Sequence, residues 1–252
     1  MTLLAVERMK LFTTRSPWWC AVITLLLVIG FAALMTATSD GGFVSVGMSQ
    51  SGHFFGITVI LVLAALAITT EYRFGTIRTT FQAVPNRTAV LLAKTGVVGA
   101  LAAAVGLLAA FGALGVTALL SSGVDLSLST GAEWRQVAGN GLVYGLAAVL
   151  ALAVGILVRH SAGAIALLLI YIGVVESLTP IIPEIGPTIH EWMPFNVVEK
   201  FLSGDGATRA VAEAGPPLST STLSPWLALG YFAAVAFAAL AAAIAVANRR
   251  DA

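Results

Sequence analysis

Residues 54–70, FFGITVILVLAALAITT, and 95–120, TGVVGALAAAVGLLAAFGALGVTALL, enclose one polar stretch at 71–94, EYRFGTIRTTFQAVPNRTAVLLAK. The flanking runs approach or exceed the ~20 apolar residues that cross a bilayer core. Four more runs complete a set of spans at about 17–37, 53–70, 95–120, 137–158, 162–182 and 226–247. Hydrophobic residues make up 58% of the 252-residue chain and charged residues only 10%, against about 25% charged in soluble domains. Backbone in lipid must satisfy its own hydrogen bonds, and Ala/Leu/Gly-rich runs lack the alternation of barrel strands. The predicted fold class is an all-α membrane protein, a bundle of six transmembrane helices forming one transmembrane domain over 1–252.

Lysine and arginine positions orient the bundle. With both termini inside, Arg8, Lys10, Arg15, Arg73, Arg78, Arg87, Lys94, Arg159, Arg249 and Arg250 fall on the inner side, and Arg135, Lys200 and Arg209 outside. This bias predicts cytoplasmic termini in the cell membrane. The first run is longer than a cleavable signal's apolar region and lacks a small-x-small site, so it is expected to stay as a signal anchor. Cys20 is the single cysteine, which rules out an intrachain disulfide. A net charge of +1 gives no reason to expect nucleic acid.

The stretch 71–94 is then cytoplasmic. Phe74, Ile77, Phe81 and Val84 recur at helical spacing and predict a short amphipathic helix lying along the membrane, ended by Pro85 and Asn86. Gly75 is expected within that helix. Glu71, at the end of the second span, is expected to pair with Arg73, Arg78 or Lys94. On pattern alone the helix either reconnects two spans or docks a cytoplasmic partner.

The residues Glu71-Tyr72-Arg73-x-Gly75-Thr76-Ile77-Arg78, then Pro85-x-Arg87 and Lys94, resemble a segment of ABC-2 type permeases, the membrane subunits of bacterial ABC exporters of the type V kind. The likeness extends to Glu7-Arg8-x-Lys10 near the N-terminus, the six spans and the long outer connection at 183–225. Trp192-x-Pro194-Phe195 after Glu176 is similar to a pattern in actinobacterial members. The resemblance implies a coupling helix over Tyr72 to Gln82, with Tyr72, Arg73, Phe74, Gly75, Thr76, Ile77, Arg78 and Phe81 seated on a separate ATPase. It also implies an N-terminal interface helix within 1–16, carrying Glu7, Arg8, Lys10 and Leu11. A pair of cytoplasmic ABC ATPase subunits and a second permease chain, identical or a sister, would complete the transporter. ATP and Mg would be bound by the ATPase partner, with no cofactor in this chain.

The residues support that division of labour. A phosphate-binding loop needs G-x-x-x-x-G-K-[ST]. Of the three lysines only Lys94 precedes Ser or Thr, and Thr88 and Ala93 stand where that loop needs glycine. His190-Glu191 does not begin a zinc motif, because Pro194 replaces the second histidine, and no metal site is expected. His53, His160 and His190 sit at span ends on mixed sides, a poor arrangement for an intramembrane enzyme.

Glu176 is the one acid placed within a span, in YIGVVESLTP. Intramembrane acids face a bundle interior or cavity and mark function by default. It could meet a cationic substrate, carry a proton in a self-contained secondary transporter, or accept hydrogen bonds from neighbouring helices. Asn140 and Tyr144 read as interhelical glue, and Gly141 with Gly145 as a close-packing pair. Between Pro183 and Pro225, two short interfacial helices around Pro194 are expected, followed by a flexible AGPPLSTSTLSP linker. The expected cargo is hydrophobic or amphipathic, a drug or antibiotic before a lipid or peptide, since no charged lining recurs along the spans.

Overall fold

The computed structural model describes residues 3–39, 44–121, 123–204 and 219–249. Eleven elements matter here. They are α1 (Leu3–Thr13), α2 (Arg15–Thr38), α3 (Val46–Ser49), α4 (His53–Arg73), α5 (Thr76–Ala83) and α6 (Arg87–Leu120). Then come α7 (Gly131–Val158), α8 (Ser161–Ile170), α9 (Gly186–His190), α10 (Pro194–Ser203) and α11 (Pro225–Arg249). Among the described residues six helical segments are long and apolar enough to cross a membrane: Arg15–Thr38, Val46–Arg73, Arg87–Leu120, Gly131–Val158, Ser161–Ile181 and Pro225–Arg249. The third begins at Arg87 rather than near Thr95. Asn86 caps it by accepting from the Ala89 amide at 3.0 Å, which satisfies one of the free N–H groups of its first turn.

Helix α7 is the centre of the bundle, packing on α6, α4 and α11. Its start is fixed by a capping box between Thr130 and Glu133. Small residues set the approach distance. A Cβ on Gly106 would lie 2.9 Å from the Tyr144 ring, and one on Gly56 would strike the Tyr144 hydroxyl. Tyr144 is thus clamped between α4 and α6, and its hydroxyl donates to the His53 carbonyl at 2.9 Å. Without hydrophobic driving force in lipid, such close contact and interhelical hydrogen bonding hold helices together. Asn140 acts one turn earlier, donating to Gln50 Oε1 at 3.3 Å.

Helix α1 and the last turn of α11 lie at one end of the bundle, called here the near end. Arg87 donates to the Ala247 carbonyl at 3.4 Å and Asn248 to Thr88 at 3.0 Å, so the last turn of α11 meets the first turn of α6. The opposite, far end holds α3, α9 and α10.

Three sequence expectations change at these ends. Gly75 does not lie mid-helix. With φ of +71° it forms a left-handed break between α4 and α5, a conformation that costs other residues about 1–2 kcal/mol. Tyr72 and Arg73 therefore belong to the last turn of α4, and the surface helix starts at Thr76. At the far end α10 is not a loose surface helix, since Phe195, Val197, Val198, Phe201 and Leu202 are buried against α11 and α7. Of the AGPPLSTSTLSP linker, residues 214–218 lie outside the described residues. Ser219 and Thr220 are held: Ser219 donates to the Asn196 carbonyl at 2.6 Å, and the Thr220 amide to Asn196 Oδ1 at 3.2 Å.

Candidate functional site

At the near end, four charged residues from three helices converge. Lys94 of α6 donates to Glu7 Oε2 at 2.5 Å and to Glu71 Oε1 at 2.8 Å. Lys10 donates to Glu7 Oε1 at 2.9 Å and to the Thr80 hydroxyl at 3.0 Å, and lies 3.7 Å from Glu71. Of the partners considered for Glu71, the structure brings Lys94 to it. Glu7 is 3% and Lys94 5% exposed. Isolated buried charges are expensive, and a network in which each is paired offsets that cost. Burial pushes the Glu7 carboxyl up, but Lys94 and then Lys10 outweigh it, holding the group below its usual range.

The network joins α1, the end of α4, the start of α6 and, through Thr80, α5. It borders a cavity of about 570 Å³ that also reaches Leu66, Thr70 and Phe74. Leu11, one turn after Glu7 on the same face of α1 and 7% exposed, anchors that face in the core, while Arg8 of the same helix is exposed.

The apolar stripe divides in two. Ile77 is 2% exposed and packs into the core. Phe81 packs partly against that core, with the Arg87 guanidinium 5.3 Å from its ring centre. Phe74 is 72% exposed, with Arg73 stacked 5.5 Å over it. The left-handed turn at Gly75 separates Phe74 from the helix that carries Ile77 and Phe81, so the three do not share one outward face. The outward set is Arg73, Phe74, Thr76, Arg78 and Thr79. Tyr72 is half-buried beneath the Arg159 guanidinium, 5.1 Å away.

A family model described as ABC-2 family transporter protein matches residues 3–175. The chain belongs to the ABC-2 transporter family. No curated protein matches it. As an ABC-2 permease it is a multi-pass membrane component of an ABC transporter, and membership implies association with ABC ATPase subunits. The matched stretch takes in α1, the Glu71–Lys94 region, the first four spans and most of the fifth, ending just before Glu176.

Glu176 of the permease is 5% exposed. Helix α8 passes into a π-helical turn at Tyr171–Val175, and the extra residue per turn re-aims the side chain that follows. The carboxylate oxygens accept the Phe195 and Asn196 amides at 3.1 and 3.1 Å. An anion at a helix N-terminus satisfies free N–H groups and complements the dipole. Of the roles considered for it, the hydrogen-bonding one is seen here, directed at α10.

Sequence reasoning missed one far-end arrangement, a buried chain linking Asn140, Gln50, His53 and Glu199. Its members come from three separated segments, and of them only Asn140 stands well inside an apolar run, where it reads as interhelical glue. Among the described residues no cluster of three metal-ligating side chains occurs.

Proposed function

We propose that this permease is the membrane half of an ATP-driven exporter, seated through Arg73, Phe74, Thr76, Arg78 and Thr79 on a separate cytoplasmic ATPase. The observation that carries the reading is an exposed aromatic and basic surface welded to three helices by the Glu7–Lys10–Glu71–Lys94 network. Aromatic side chains flanked by arginine are the residues that most often dominate protein interfaces, and arginines pair with carboxylates at a partner's rim. Force applied to α5 would pass through Thr80 and Lys10 into α1, and through Gly75 and Glu71 into α4 and α6.

On this reading the near end, with both termini, is cytoplasmic in the cell membrane. The positive-inside bias of the arginines and lysines supports that orientation. Two permease chains, identical or sister, enclose the path. A pair of ATPase subunits binds ATP and Mg below them and drives inward-to-outward switching. The cargo is hydrophobic or amphipathic, with a drug or antibiotic ahead of a lipid or peptide. A proton-coupled carrier centred on Glu176 is the weaker alternative, because both carboxylate oxygens already hold the start of α10.

The test is co-purification with the cognate ATPase and ATP-dependent efflux. Both should fall in Phe74→Ala/Arg78→Ala. Unchanged binding and efflux in a stable double variant would refute the docking assignment.

A further inference from the structure

The far-end chain of buried polar groups contains a proton that the fold requires. His53 is 1% exposed. Its Nδ1 lies 3.1 Å from the Gln50 carbonyl and its Nε2 lies 2.6 Å from Glu199 Oε1. A carbonyl has no proton to give, so Nδ1 carries one. A 2.6 Å contact between Nε2 and a carboxyl oxygen needs a second proton between them, whether written as imidazolium and carboxylate or as imidazole and carboxylic acid. The closed arrangement therefore holds two protons.

Removal of the second proton cannot leave both contacts intact. If Nδ1 keeps its hydrogen, the Nε2 lone pair faces a carboxylate anion. If the hydrogen moves to Nε2, the Nδ1 lone pair faces the Gln50 carbonyl. Each case loses one of two buried hydrogen bonds and leaves a negative charge with little access to water. Addition of a third proton leaves an imidazolium N–H donating to a neutral carboxyl, so the contact survives acid.

The contact ties α10 to the first turn of α4. Further polar tethers of α10 lead elsewhere, among them Glu176 from the fifth span, Arg135 of α7, which donates to the Phe201 carbonyl at 2.7 Å, and Asn196, which donates to the His190 carbonyl at 2.7 Å and bonds residues 219–220. Charged and titratable groups surround the pair from each of these elements. Glu176 and His190 line the same cavity of about 160 Å³ as Glu199. Lys200 follows Glu199 on α10, Tyr171 stacks on Phe195 at 6.3 Å, and Tyr144 bonds the His53 carbonyl.

We propose that His53 and Glu199 form a proton-operated clasp, in which one proton bound between Nε2 and Oε1 lets the ring hold Glu199 of α10 and the Gln50 carbonyl together, and its loss weakens the tie between α10 and the start of α4. The clasp is tight below the pH at which the shared proton leaves and loosens above it, because the open arrangement exposes the unneutralised carboxylate to water. On the exporter reading α10 covers the exit end, so opening the clasp favours release of cargo on the alkaline side. The clasp itself needs no ATPase.

The experiment is hydrogen exchange on the full chain in lipid nanodiscs at about pH 6 and about pH 9, on either side of the alkaline limb of histidine titration. Protection of residues 194–203 is taken relative to intrinsic exchange at each pH, with α11 as reference. Wild-type protection should fall by a factor of about ten to a hundred at the higher pH, the equivalent of one charge-assisted hydrogen bond. Glu199→Gln can donate its amide to a neutral Nε2 without titrating, so its protection should be equal at both. Parallel loss in wild type and Glu199→Gln, or no loss in wild type, overturns the proposal. Independently of any variant's folding, ¹⁵N signals of the His53 ring in the wild type should titrate in step with the loss of protection, and signals constant over that range also overturn it. Failure here leaves the ATPase-docking reading standing, and failure of co-purification leaves the clasp standing.

Discussion

The Lys94 ammonium lies 2.5 Å from the Glu7 carboxylate across 87 residues of chain. That contact turns an N-terminal segment of poor amphipathic character into part of the bundle, and it makes the near end sensitive to single charge changes. Lys94→Met removes the cation shared by Glu7 and Glu71 and leaves two carboxylates without their main partner. The expected loss is about 3–5 kcal/mol, read as a lower thermal midpoint in detergent. The double variant Glu7→Gln/Lys94→Met should recover part of it. A loss near zero in Lys94→Met would mean that the network is solvated and not structural.

The same network sets an acid limit. The Glu7 carboxyl is held below its usual range in the folded chain, so its contribution is present above the unfolded value of about 4.3 and is lost as pH falls through the lower folded value. Limited proteolysis of residues 3–13 should be flat from about pH 7 to about pH 5 and accelerate below about pH 4, whereas Glu7→Gln should be cleaved faster throughout with a weaker acid dependence. A Glu7→Gln profile with the wild-type acid limb would assign the effect to another group.

Phe74 and Ile77 should separate docking from folding. Ile77→Ala opens a cavity in the core and should cost about 2–5 kcal/mol of stability. Phe74→Ala, at a side chain 72% exposed, should leave the melting temperature nearly unchanged and weaken ATPase co-purification by about tenfold or more if Phe74 is an interface anchor. The reverse pattern would place the docking face on the other side of α5.

Gly75→Ala tests the break between α4 and α5. A left-handed residue with a Cβ should cost about 1–2 kcal/mol, measurable by thermal unfolding. If α5 instead continued α4 as one helix, alanine would stabilise the junction by up to about 1 kcal/mol, so the sign of the change decides.

Glu176→Gln retains the size of the side chain but replaces one carboxylate oxygen by an N–H₂ group that faces a backbone donor. Loss of the cap should cost about 1.5–3 kcal/mol and raise hydrogen exchange selectively at the start of α10. Unchanged exchange there with abolished transport would return Glu176 to a direct transport role.

Composition and run length by themselves determined the class, six apolar helices, because a lipid solvent leaves so few ways to satisfy a backbone. The residues from Glu71 to Lys94 pointed to a permease through their resemblance to a segment of that family. Tertiary structure decided which groups meet. Periodicity gave Phe74, Ile77 and Phe81 one face, but a positive φ at Gly75 broke the helix between them and sent Phe74 outward and Ile77 into the core. Glu71 had three plausible cationic partners within its own stretch and took Lys94, together with Glu7 from α1. Glu176 stood out in sequence because acids in apolar runs are costly, yet what it binds, the first amides of α10, depends on a π-helical turn that no residue pattern announced. His53 and Glu199 were invisible as a pair. A buried proton needs two groups brought within hydrogen-bonding distance, and only the packing of α10 against α11 and α7 brings Glu199 to the start of α4.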